Sequence, residues 1–221
     1  MKKKLKFMIY KFIAIEGNIG SGKTSLSKKL AQDFKSELIL ESFAENPFLP
    51  KFYKEPSKYG LSLELFFMAE RYHQLKNQKE QDLFRPITIA DYFFVKSKLF
   101  AQNNLQKDGQ QLFNNLFEIM LSSLSKPDLL IYLYSNVDRL QQNIKKRGRE
   151  FEQEITDEYL QNIQNRYLDY LRKQTYFPVL LLNISNLDFK KDKKVYEAIK
   201  VLLDRTYAIG IHQADLAEPM L

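Results

Sequence analysis

The sequence contains no cysteine, which excludes disulfides and thiolate metal sites, and its two histidines, His73 and His212, stand far apart in the chain. It has no apolar run long enough to cross a bilayer, no internal repeat, no low-complexity tract and no Gly/Ser linker. The basic opening Met1-Lys2-Lys3-Lys4-Leu5-Lys6 resembles the start of an export signal. Ile13-Ala14-Ile15-Glu16 follows too soon, however, to leave room for an apolar stretch and a cleavage site. A soluble cytoplasmic protein without a membrane partner is the expectation.

What is present is an ordinary globular balance, 44% hydrophobic and 28% charged residues in 221. That length buries one substantial core, so residues 1–221 read as a single domain with a core at about 10–206, a short basic extension before it and a tail after it. The net charge of +7 fits either a nucleic-acid surface or a field that attracts polyanionic small molecules. The excess sits at Lys2–Lys6, Lys145–Arg149 and Lys190–Lys194, none of which interleaves aromatic with basic residues, so no nucleic-acid partner is expected.

Short apolar runs alternate with longer amphipathic stretches. Strands are predicted at Lys11–Glu16, Glu37–Glu41, Ile87–Asp91, Asp128–Tyr134 and Val179–Ile184. Helices are predicted at Gly22–Phe34, Leu61–Glu80, Phe93–Leu105, Gln110–Leu124, Val137–Lys146, Thr156–Lys173 and Lys193–Thr206. Strand–helix alternation implies an α/β fold: a doubly wound, five-stranded parallel sheet with helices on both faces. Chemistry in such folds lies beyond the carboxyl ends of the strands, where Glu16-Gly17, Glu41 and Asp91 fall. No structure is predicted for Tyr207–Leu221 beyond a closing tail.

The segment Gly17-Asn18-Ile19-Gly20-Ser21-Gly22-Lys23-Thr24 fits G-x-x-x-x-G-K-[ST] in full, after a strand and at the start of a helix. Its glycines let backbone N–H groups wrap a phosphate, Lys23 reaches the β- and γ-phosphates, and the Thr24 hydroxyl ligates magnesium. Glu41 ends the second strand, where a kinase acting on a hydroxyl needs a base, although position alone would equally suit a loop-capping acid. Asp91 could hold magnesium or meet the reacting end of the substrate, or simply cap the following helix. Arg147-Gly148-Arg149 reads as an ordinary cationic helix end or, beside a phosphate loop, as a lid over a transferring phosphoryl group. ATP and Mg²⁺ are the implied cofactors.

These blocks, with Pro47-Phe48-Leu49, Phe52-Tyr53, Leu63-Glu64-Leu65-Phe66-Phe67, Arg71-Tyr72, Phe100-Ala101, Glu152 and Asp188-Phe189, resemble the deoxynucleoside kinase family over about Phe12 to Asp204. Within it the chain looks closest to the bacterial deoxyguanosine kinase and deoxyadenosine kinase type. The resemblance implies a P-loop nucleoside kinase with a helical lid, carrying the γ-phosphoryl of ATP to the 5′-hydroxyl of a purine deoxynucleoside. It makes Glu41 the base, places Tyr53 and Glu152 on the 3′-hydroxyl, and puts Glu64 and Arg71 on the nucleobase. Arg147 and Arg149 become lid arginines, and Asp188-Phe189 meets the donor adenine. It also implies a homodimer and feedback inhibition by a dNTP.

The chain departs from the family at three points. Ser42 replaces a common proline after Glu41, and Asp91-Tyr92 stands where many members have an acidic-Arg-Ser/Thr sequence, leaving Lys96 or Lys98 to supply the cation. Asn143 occupies a lid-arginine position. Glu64 stands where many relatives have glutamine, and a carboxylate suits the two adjacent donors of guanine, so deoxyguanosine is preferred to deoxyadenosine. The stripe Leu112, Phe113, Leu116, Phe117, Met120, Leu121, Leu124 suggests a helix buried on two sides. A thymidylate-type monophosphate kinase and a non-catalytic ATP-binding protein are the competing readings.

Overall fold

The computed structural model describes residues 9–42, 46–76, 87–214 and 216. The basic opening at 1–6, residues 77–80 of a predicted helix and nearly all of the tail past 214 lie outside the described residues. The strands are β1 (Phe12–Gly17), β2 (Glu37–Ile39), β3 (Thr88–Ala90), β4 (Leu129–Tyr134), β5 (Pro178–Asn183) and β6 (Gly210–Ala214). They form one sheet in the order β2-β3-β1-β4-β5-β6, every pairing parallel.

The sixth strand corrects the expectation of five. Ile211-His212-Gln213-Ala214 has no apolar run to announce it, and its side chains stay largely outside the core. Parallel pairing to β5, from Pro178 opposite Gly210 to Leu182 opposite Ala214, makes it a strand. Backbone hydrogen bonding at a sheet edge does here what side-chain burial does in the central strands.

The helices are α1 (Lys23–Phe34), α2 (Leu49–Lys54), α3 (Pro56–Lys76), α4 (Lys96–Asn104), α5 (Lys107–Leu121), α6 (Val137–Arg147), α7 (Asp157–Lys173) and α8 (Lys193–Leu202). Successive side chains of the inner strands enter opposite layers, as the pleat requires. Ile13, Ile15, Leu129, Ile131 and Leu133 pack with α1 and α8, whereas Ala14, Leu130 and Tyr132 pack with Phe93, Phe113 and Tyr167 on the other face. Short α2, with Pro50 in its first turn, is not foreshadowed by the apolar pattern, and α4 starts at Lys96 rather than Phe93. Asp91 therefore does not cap it. The two ends of the described chain meet: Tyr10 Oη donates to the Arg205 carbonyl at 2.8 Å and accepts from Tyr207 N at 3.2 Å.

The register aligns the carboxyl ends of the inner strands, with Ala90 beside both Ala14 and Ile39, and Gly17 beside Leu133. The chain reverses its direction of travel across the sheet at β1, which opens a crevice there.

Two buried tyrosines beneath that crevice make opposite predictions. Tyr132 Oη is buried and meets no hydrogen-bond partner among the described residues, while Tyr167 Oη donates to Glu16 Oε2 at 2.9 Å. Tyr132→Phe removes an unsatisfied group and should leave stability unchanged or higher, whereas Tyr167→Phe should cost about 1.5–3 kcal/mol. Chemical denaturation of both variants tests this; a Tyr132→Phe penalty equal to that of Tyr167→Phe would contradict it.

Candidate active site

The turn after β1 is built by glycine where no other residue fits. Gly17 has φ 151°, and a Cβ there would stand 2.7 Å from both the Leu133 carbonyl and Ser21 Oγ. Gly20 and Gly22 also have positive φ, 81° and 90°. Asn18 pins the loop, its Nδ2 donating to the Leu160 carbonyl at 2.7 Å and its Oδ1 accepting from Ile19 N at 2.8 Å. No side chain caps α1, so its first N–H groups remain available to an anion. Lys23 Nζ folds over the loop and donates to the Gly17 and Asn18 carbonyls, both at 2.9 Å. Burial, then repulsion from Lys96, lowers its pKa to about 8.

Glu16, the last acid of β1, anchors three elements below this loop. Its Oε1 accepts from Phe93 N at 2.7 Å, and its Oε2 accepts from Tyr167 Oη and, at 3.3 Å, from Gly17 N. Burial raises its pKa, against the pull of Lys96 and Lys23.

Glu41 lies across the crevice, held from two sides. Its Oε1 accepts from Arg71 Nε at 2.9 Å and Nη2 at 2.5 Å, and its Oε2 accepts from Lys96 Nζ at 2.5 Å. Burial alone would raise its pKa, but Lys96 and Arg71 together hold it well below the ordinary carboxylate range. Among the described residues the acid caps no loop. Arg71 also donates to Ser97 Oγ at 2.7 Å, so its guanidinium is committed to Glu41 and Ser97 rather than paired with Glu64. Lys96, 6% exposed, is the lysine that pairs with Glu41; Lys98 turns away to Glu118 at 2.7 Å. Ser97 is a contact that no sequence signal announces.

Asp91 joins the two halves of the crevice. Its Oδ2 accepts from Thr24 Oγ1 at 2.6 Å and its Oδ1 from Glu41 N at 2.8 Å. Among the described residues no three His, Cys, Asp or Glu side chains gather as a metal cage.

A cavity of about 290 Å³ runs from Lys23 and Thr24 past Glu41 to Glu64, with Tyr53, Phe67, Phe100 and Tyr159 along its walls. Glu64 Oε1 accepts from Asn104 Nδ2 at 2.7 Å, and burial raises its pKa to about 7. Tyr53 stacks on Phe151, their ring centroids 6.1 Å apart. Glu152 is occupied by two arginines, accepting from Arg147 Nη2 on one oxygen and from Arg149 Nη1 at 3.0 Å on the other. Gly148, with φ 71°, ends α6 and lets the two arginines flank the turn.

A second cleft of about 620 Å³ meets the first at Gly20, Lys23, Thr24, Arg147 and Arg149, and extends between α6 and the loop that carries Asp188. Asn143 Nδ2 donates to the Gly20 carbonyl at 2.8 Å and so ties α6 to the phosphate loop. Asp188 Oδ1 accepts from Lys190 N at 3.1 Å, shaping its own turn. Phe189 is buried, with Cζ 3.1 Å from where a Cβ on Gly22 would stand, so it backs the phosphate loop.

A phosphate loop between two clefts, under a double-arginine turn, on this sheet order, defines a P-loop phosphotransferase. The family model for deoxynucleoside kinase matches residues 13–206. The chain belongs to the deoxynucleoside kinase family, ATP-dependent phosphotransferases. It is 34% identical over 194 residues to the deoxyguanosine kinase of Bacillus subtilis (strain 168), covering 85% of this chain and 93% of that one. It is 29% identical over 192 residues to the deoxyadenosine/deoxycytidine kinase of the same organism, covering 85% and 88%. The structure of deoxyadenosine kinase from M. mycoides with bound dATP superposes with a TM-score of 0.74 at 25% identity, covering 87% of this chain and 98% of that one.

The two lysines separate cleanly in a test. Activity that needs ionised Glu41 rises with pH through its pKa, so the acid limb of kcat/KM should lie below the usual carboxylate range. Lys96→Met removes one cation, raises that pKa, moves the limb upward and lowers kcat by about 10²-fold. Lys98→Met should change neither quantity, and equal effects from both lysines would overturn the assignment.

Proposed function

We propose that this kinase transfers the γ-phosphoryl of ATP to the 5′-hydroxyl of a purine deoxynucleoside, deoxyguanosine before deoxyadenosine. The observation that carries the reading is the meeting of the two clefts at Lys23, with Glu41 on the nucleoside side. A 5′-hydroxyl reaching Glu41 displaces Lys96 from Oε2; the freed ammonium then faces the phosphoryl group while the carboxylate takes the proton. Arg147 and Arg149 leave Glu152 for the transferring group as the lid closes, which frees Glu152, with Tyr53, for the 3′-hydroxyl. Catalysis is then mainly positioning and charge stabilisation.

Mg²⁺ suits the residues present. It keeps several waters and takes phosphate oxygens, needing few protein ligands, and the adjacent Thr24 hydroxyl and Asp91 carboxylate are of the right kind. Asp188-Phe189 would border the donor base. The ionised Glu64 complements the N1–H and 2-amino donors of guanine, which is the support for deoxyguanosine.

A thymidylate-type kinase would need spare cations for an acceptor phosphate, yet Arg71 and Lys96 are both paired with Glu41. A non-catalytic ATP-binding role leaves that polarised Glu41 unexplained. The chain's surface supports a homodimer through α5. Phe113 and Phe117 are buried on its inner side, while Leu112 is 49% and Ile119 70% exposed, seven residues apart on its outer side. With no thiols and no helix among the described residues able to cross a membrane, the cytoplasm is the proposed compartment, with no nucleic-acid partner.

Glu41→Gln keeps the shape but cannot accept a proton, so kcat should fall by about 10²–10⁴-fold with little change in nucleoside affinity. A coupled assay with ATP and the four deoxynucleosides, dTMP included as a competing acceptor, reads both activity and class. Near-normal turnover by the variant would remove Glu41 from the chemistry, and preference for dTMP would replace the nucleoside reading.

A dNTP that places its base in the nucleoside cavity and its phosphates on the glycine loop spans both clefts. dGTP should therefore compete with ATP and with deoxyguanosine. Initial-rate inhibition patterns test this, and inhibition no stronger than that by dTTP would count against it.

A further inference from the structure

Glu64 is bonded on one side only. Its Oε1 accepts from Asn104 Nδ2 at 2.7 Å, whereas its Oε2 is buried and meets no hydrogen-bond donor among the described residues. The side chain, 1% exposed, lies in the wall of the nucleoside cavity, held between α3 and the end of α4. A buried polar atom left unpaired costs about 1–3 kcal/mol, so this oxygen favours any ligand that supplies the missing partner.

The charged and titratable groups that face Glu64 come from every element around it: Arg71 on α3 itself, Lys96 on α4, Glu41 after β2, Tyr53 on α2 and Tyr159 on α7. Burial pushes both tyrosines up, so they stay neutral through the physiological range. Glu41 is held down and stays anionic, and Arg71 stays cationic. Glu64 alone among these carboxylates sits close to its transition at neutral pH, raised to about 7 chiefly by burial, against Arg71, the Asn104 hydrogen bond and Lys96.

Asn104 decides what the two forms of the carboxyl offer. Because its amide N–H already points at Oε1, that oxygen is an acceptor in either state, and a proton taken up by the group resides on Oε2. The ionised group therefore presents two acceptors, the complement of N1–H and the 2-amino group of guanine. The protonated group presents one acceptor and one donor, the complement of the 6-amino group and N1 of adenine. We infer that Glu64 and Asn104 read both purines through one carboxyl, deoxyguanosine with the carboxylate and deoxyadenosine with the acid, so that the choice of nucleoside follows pH. Asn104 is here a positioning residue, acting through Glu64.

This rests on the proposed contact of Glu64 with the nucleobase, and one experiment separates the two. The measurement is kcat/KM for both nucleosides between about pH 6 and 8, because kcat/KM reports ionisations of the free enzyme. Groups at the phosphate end, Lys23 included, act on both nucleosides and cancel in the ratio. The deoxyguanosine-to-deoxyadenosine ratio should rise with pH, by at most about 100-fold across two units centred on the transition. In Glu64→Gln the ratio should be lower and independent of pH. In Asn104→Ala the midpoint should move to higher pH, since the lost hydrogen bond favoured the ionised form. A flat wild-type profile with a lowered ratio in Glu64→Gln overturns the pH inference and leaves the base contact standing. An unchanged ratio in Glu64→Gln overturns both, and an unmoved midpoint in Asn104→Ala removes that residue from the reading.

Discussion

A parallel sheet delivers the ends of its strands to one edge, and here that edge receives the carboxylates of Glu16, Glu41 and Asp91. Buried acids so close to one another survive as anions only where cations and N–H donors are interleaved with them. Each of the three has its own set of donors. Glu16 accepts from backbone and phenol groups, Asp91 from a hydroxyl and the Glu41 amide, and Glu41 from two full cations. Each arrangement ties a different pair of elements together. Glu16 locks α7 and the segment after β3 under the glycine loop, Asp91 joins α1 to the strand-end acid, and Glu41 draws α3 and α4 into the crevice.

The same requirement gives the site its states. Cations of the site are committed to protein acids: Lys96 to Glu41, and Arg147 and Arg149 to Glu152. In the proposed mechanism phosphate and hydroxyl groups would compete for those cations rather than meet bare charge. In that mechanism each release exposes an acid whose lone pairs the nucleoside can use, so binding at one cleft would prepare the other.

Much of this was legible in the residues and some was not. The glycine loop declares itself because backbone constraint leaves only glycine at positions such as Gly17, and the inner strands declare themselves through continuous apolar runs. Strand β6 does not, since an edge strand held by backbone pairing needs no apolar face. Lys96 and Lys98 are indistinguishable in sequence, two residues apart; the start of α4 at Lys96 decides which one faces Glu41. Asn104 and Ser97 carry no signal at all, because a neutral side chain becomes significant only through the charged group that folding places beside it. Arg71 and Glu64, two helical turns apart on one helix, are close enough in sequence to pair, yet Arg71 bonds to Glu41 and Glu64 to Asn104.

The clasp of Tyr10 on Arg205 and Tyr207 has a temporal side. Among the described strands β1 is translated before the others but belongs inside the sheet, between β3 and β4, so its two partners are translated about 75 and 115 residues after it, at roughly 5–20 residues per second. For those seconds β1 is unpaired on both edges. The Tyr10 hydroxyl waits longer still, until Arg205 has emerged to accept its hydrogen bond. The segment that carries the glycine loop is thus the one that waits longest for its sheet partners.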